Sequence, residues 1–125
     1  ARSGAKTPRR FVEDAYLAFF DVFAADRLTL KMLARNQDLL RMAIFEEGSI
    51  SGIFEELETD LERAIEHGFF RPFSVQLATC SMVGAGFEIL IRMASHPEIT
   101  SEEAARFLAD LFLNGLGTAK NDRRP

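Results

Sequence analysis

Apolar residues recur along most of this chain at intervals of three and four, the spacing that gathers one face of an α-helix. In "TPRRFVEDAYLAFFDVFAAD" the apolar stripe is Val12, Tyr16, Phe19, Phe20 and Phe23, with Glu13, Asp14 and Asp21 off it. Thr7 is placed to cap this helix and Pro8 to fill its first position, where a missing N–H matters least. "DRLTLKMLARN" reads as a shorter helix opened by Asp26, and "QDLLRMAIFEEG" as a third helical segment ending at Gly48. In "SISGIFEELETDLERAIEHG", Ser49 or Ser51 is the expected cap. Ile53, Phe54, Leu57, Leu61, Ala64 and Ile65 form its apolar face, and Gly68 stands where a left-handed residue ends a helix. "FFRPF" is a connector. The next helix runs from near Ser74 to about Ser95, stopped by Pro97. Thr100 and Glu103 make a capping-box pattern for the last helix, along which Glu102, Arg106 and Asp110 form a charge ladder. No stretch alternates with period two. The pattern predicts an all-α domain of five to six helices.

The last two helices carry more apolar surface than one stripe. In "VQLATCSMVGAGFEILIRMA" apolar or small residues appear on every side, and the apolar set of "AARFLADLFLNGL" also wraps widely. Such helices need cover all round. The economical cover is a second copy of the chain, giving an intermolecular four-helix bundle and a homodimer. Gly84, Glu88, Phe107, Leu111 and Asn114 are the expected interface residues. Gly84 and Gly86, both inside a helix, each cost roughly 0.8–1.0 kcal/mol relative to alanine unless something must come close.

Composition adds three constraints. The chain has 125 residues, 47% of them hydrophobic, enough for one compact domain with a real core. Phenylalanine occurs 12 times, against one tyrosine and no tryptophan, so the core is bulky with few polar handles. The net charge is −4, unevenly spread: both ends are basic, and residues 11–119 hold eighteen acidic side chains against eight basic ones. That acidic body opposes nucleic-acid binding by the domain itself. The expected division is a basic lead-in over 1–7, the helical domain over 8–118 and a tail over 119–125. The single cysteine, Cys80, reads as a small buried hydrophobe in a reducing, cytoplasmic compartment. No signal peptide is visible. Val75–Ala94 approaches membrane-spanning length, but Gln76, Glu88 and Arg92 argue against a span, and no membrane partner is expected.

Catalytic and cofactor motifs find little support. "GAG" lacks the third glycine of a dinucleotide fingerprint, since position 89 is Ile89, and no strand precedes it. His67 and His96 have no metal-ligand spacing, so no metal and no cofactor is expected. His67 fits best as a favourable charge at a helix C-terminus. Glu88 with Arg92 reads as an i, i+4 pair, with a polar anchor for a ligand as the alternative. A small enzyme using Glu88, Arg92 or Cys80 has no positive signal. Bulky phenylalanines and adaptable methionines, spread over several helices, would instead suit an apolar cavity. Tyr16, Phe19, Phe23, Met42, Phe45, Phe54, Leu57 and Met82 are the expected lining.

The stretches "LETDLERAIEHGFFRPFSVQLATCSMVGAGFEILIRMASHP" and "SEEAARFLADLFLNGLG" carry a resemblance. From roughly Thr7 to Thr118 the chain resembles the C-terminal regulatory domain of TetR-family transcriptional regulators. The resemblance implies a homodimer built on the last two helices and a cavity among the earlier ones for a small, often apolar effector. It further implies that effector binding controls DNA binding by an N-terminal helix-turn-helix domain not contained in these residues. No catalysis is expected. A free-standing helical carrier of apolar ligands is the alternative.

Overall fold

The computed structural model describes residues 7–42 and 52–118. Among them are six helices and no strand: α1 (Pro8–Ala24), α2 (Arg27–Arg35), α3 (Gln37–Arg41), α4 (Ile53–Glu66), α5 (Val75–Ser95) and α6 (Ser101–Asn114). The domain is therefore all-α.

Local chemistry sets most helix starts. The Thr7 side chain accepts a hydrogen bond from the backbone N–H of Arg10, with Pro8 in the first turn. Asp26, Ser74 and Thr100 do the same for the N–H groups of Leu28, Leu77 and Glu103. Each such cap contributes about 1 kcal/mol. α4 departs from expectation. Its cap position is Gly52, at φ 62°, with no side-chain cap, and Ser49 and Ser51 lie outside the described residues. α4 ends as expected, with Gly68 at φ 80°.

α5 is the hub, packing against α1, α2, α4 and α6. It turns Thr79, Met82, Val83, Gly86, Phe87, Leu90, Met93 and Ala94 inward. By length and composition alone it could cross a bilayer, yet here Phe87 and Leu90 are completely enclosed by the other helices. Burying a side chain of that size stabilises the fold by roughly 1.5–3 kcal/mol.

The most extensive seam lies elsewhere, between α1 and α6. α6 presents Ala104, Ala105 and Ala109 around the fully buried Leu108. Small side chains let the two helix axes approach closely. Arg9 ties the ends of this seam by hydrogen bonding to Asp110. α6 thus finds much of its cover inside the chain, which explains why its apolar set wraps so far.

Two local expectations fail. Cys80 is exposed, because the inward arc of α5 passes through Thr79, Met82 and Val83 and leaves position 80 outside. The Glu102–Arg106–Asp110 ladder does not hold Asp110, whose carboxylate accepts instead from Arg9 and Asn114.

Candidate functional site

α1 and α4 both lean on α5 but scarcely meet each other. The gap between them is a trough of about 310 Å³. Met82, Val83 and Gly86 of α5 make its floor. α1 supplies one wall, including Phe11, Ala15, Tyr16, Phe19, Val22 and Phe23. α4 supplies the other through Glu56, Leu57 and Asp60. The lining is overwhelmingly apolar, and Glu56 and Asp60 are its only charged side chains among the described residues.

Tyr16 fixes the geometry of the floor. Its hydroxyl donates to the backbone carbonyl of Met82 at 2.6 Å. To reach that carbonyl, the ring must lie across the α5 backbone, and Gly86 makes this possible. A Cβ at Gly86 would stand 3.1 Å from Tyr16 Cε1 and 3.3 Å from Phe19 Cε2. The helix-propensity cost of Gly86 is therefore the condition for this close approach. Burial pushes the Tyr16 phenol well above its ordinary pKa near 10, so it stays a neutral donor. Tyr16 also stacks with Phe20 and Phe112, which locks the ring in place.

Of the residues that the sequence suggests for a cavity, Tyr16, Phe19, Phe23, Leu57 and Met82 come together in the trough. Phe54 packs behind it, with Leu33 against the buried pair Val83 and Phe87. Met42 follows α3, is 40% exposed and does not line the trough. Phe45 lies outside the described residues. Phe11, Ala15 and Val22, with Val12, Ala18, Glu56, Asp60, Val83 and Gly86, line the trough beyond that expectation. A signal for the first three was present: Phe11, Ala15, Phe19 and Val22 form a second stripe on α1, beside the core stripe.

The expected interface residues share no single environment. Gly84 faces open space, with nothing within 4 Å of a Cβ built there. Glu88 is exposed and pairs across the fold with Arg41 at 3.1 Å, not with Arg92. Arg41 also lies over the Phe87 ring, 4.6 Å from its centroid. The two contacts place its guanidinium where Arg92, one turn further along α5, does not compete. Phe107 is 54% exposed, Leu111 is half-buried against the core, and Asn114 donates to Asp110.

A wider cavity of about 610 Å³ lies on the other side of Val12 and Met82. It is bordered largely by the connector, with Phe69, Phe70, Arg71 and Phe73, and is less consistently apolar than the trough. No group of three or more His, Cys, Asp or Glu side chains suited to a metal exists among the described residues. The trough offers apolar enclosure, aromatic faces and two carboxylates, which is an arrangement for binding. No family model, curated protein or solved structure matches this chain.

Proposed function

We propose that this chain is the effector-sensing and dimerisation domain of a TetR-like transcriptional regulator, without catalytic activity. Its ligand is a small, largely apolar molecule held in the trough. DNA binding belongs to a helix-turn-helix domain of the parent protein, which acts in the cytoplasm. The observation that carries the reading is the double role of α5. Its inward side floors the trough with Met82, Val83 and Gly86. Its outward side shows Leu77, Cys80, Gly84 and Glu88 along one face. Phe107 adds an exposed ring on α6. A ligand that shifts α5 therefore moves the surface where a second copy would pack. Regulation follows if the ligand prefers one of two dimer geometries.

Sedimentation and native mass spectrometry of the purified protein test both halves of this reading. The expected result is a dimer at micromolar concentration, with a small apolar molecule retained on it. Gly84→Leu should weaken the dimer, because it puts bulk on the outward face without touching the trough. A strict monomer would defeat the regulator reading. A monomer that still retains ligand would favour the free-standing carrier, because residues of one chain line the trough.

A further inference from the structure

We propose that the outward crest of α2 is a peripheral docking surface for an anionic lipid bilayer. The inference does not depend on the trough. Leu28, Lys31, Met32 and Arg35 follow the i, i+3, i+4, i+7 spacing of one helix face, opposite the buried Leu30. The outward crest of a surface helix ordinarily carries polar side chains. Here Leu28 is 67% exposed and Met32 58%, and Leu39 on α3 adds a third apolar side chain at 66%. Lys31 and Arg35 are exposed beside them. Neither side chain makes an ion pair or hydrogen bond among the described residues.

Charge complementarity names an anionic occupant. Residues 27–42 hold four of the eight basic side chains of 11–119 and only one, Asp38, of its eighteen acidic ones. Arg27 is held by carbonyls of α5 and Arg41 by Glu88, so Lys31 and Arg35 are the cations that face outward. At physiological salt, charges beyond about 8 Å are largely screened. An approaching surface therefore meets this local cationic face, not the acidic net charge. The apolar side chains then separate a bilayer from other anions. Nucleic-acid phosphates gain nothing from Leu28 and Met32. An acidic partner helix would need a groove, and neither the trough nor the wider cavity draws a residue from α2 or α3. A fluid interface accepts protruding apolar side chains without a matching shape, while the cations beside them stay at the headgroups. This is contact from one side, not the span that Glu88 and Arg92 oppose.

The experiment floats the purified protein with two kinds of vesicle: phosphatidylcholine alone, and two parts phosphatidylcholine to one of phosphatidylserine. The anionic vesicles should bind it about twentyfold tighter or more, and the difference should fade as salt is raised. Lys31→Gln and Arg35→Gln should each weaken binding about fivefold. Leu28→Ser combined with Met32→Ser should abolish it, and because both side chains are exposed the fold should be kept. The basic ends of the chain also favour an anionic surface, so a second variant serves as control. It carries Arg2→Gln, Lys6→Gln, Lys120→Gln, Arg123→Gln and Arg124→Gln, and should keep the twentyfold preference. Equal binding to both vesicles, or to neither, would overturn the proposal. Undiminished binding by the Leu28→Ser, Met32→Ser variant would also overturn it, since attachment would then be by charge alone, as to an acidic protein. Loss of the preference in the control variant would move the contact to the ends of the chain and overturn it as well.

Discussion

Thr79 places its hydroxyl in the core of α5 with no exposure and no hydrogen-bond partner among the described residues. A buried, unpaired hydroxyl costs about 1–3 kcal/mol, and valine has nearly the same shape. Thr79→Val should therefore raise stability by about 1 kcal/mol in denaturant unfolding, and a loss of stability would contradict this account. Tyr16 gives a pH-dependent prediction. Its folded pKa lies above the ordinary value near 10, because burial disfavours the phenolate. The contribution is thus complete below pH 10 and is lost as pH rises toward the folded pKa. Over that window stability should fall by roughly 1.4 kcal/mol per pH unit, beyond whatever the other groups contribute. Tyr16→Phe should remove that extra slope, while losing about 0.5–1.5 kcal/mol at neutral pH with the hydrogen bond to Met82. The two helix glycines should also separate. Gly84→Ala enters space that is open within the chain and should gain most of the roughly 0.8–1.0 kcal/mol of helix propensity in the folded chain itself. Gly86→Ala gains the same propensity but must displace the Tyr16 and Phe19 rings, so it should be the less stable of the two.

At the scale of elements, four helix starts were legible because their causes are local. Thr7, Asp26, Ser74 and Thr100 cap from within three residues, and no distant part of the chain needs to be known. Partners across the fold were not legible in the same way. Glu88 has Arg92 at helical spacing, yet Arg41, 47 positions away in sequence, holds its carboxylate. Only the fold, which brings Arg41 at the end of α3 beside Glu88 and Phe87, decides that contest. Arg27 is a similar case. From the first turn of α2 it donates to the carbonyls of Met93 and Ala94, at 3.0 and 2.9 Å, among the last carbonyls of α5. Both lie in the last turn of α5, where Met93 accepts a long bond from the His96 N–H (3.4 Å), so a cation there helps to satisfy them and complements the helix dipole. Arg27→Ala should cost about 1–2 kcal/mol in thermal or denaturant unfolding. Arg27→Lys should recover only part of that, since an ammonium lacks the planar fork that reaches two carbonyls at once. The Arg9 link between α1 and α6 has its own signature. Hydrogen bonds from Arg9 and Asn114, with the Arg9 charge, hold the Asp110 carboxyl below the usual carboxylate range. NMR titration should show that low midpoint, rising toward the ordinary value in Arg9→Gln; an unmoved midpoint would discount the link.

At the scale of the whole molecule, the all-α architecture follows from the three- and four-residue periodicity, but the arrangement of the helices does not. The wide apolar girth of α6 suggested a missing second copy, whereas α1 supplies much of its cover. The alanines that permit this are small enough to look neutral in a sequence, and their meaning depends on what packs over them. For the same reason the aromatic side of the trough was partly legible and its acidic side was not. Glu56 and Asp60 look like any solvated helix face until α1 stands opposite. Leu108, fully enclosed at the α1–α6 seam, should be the costly position: Leu108→Ala is expected to lose about 2–5 kcal/mol by the usual cavity penalty. That seam has a mechanical meaning. α1 is a beam that borders the trough on one side and is clamped on the other by α6. At the Arg9 end of the clamp, Oδ1 of Asp110 accepts from both Arg9 on α1 and Asn114 on the outward end of α6. A small slide of α1 along α6 would therefore pull on the same oxygen that holds Asn114.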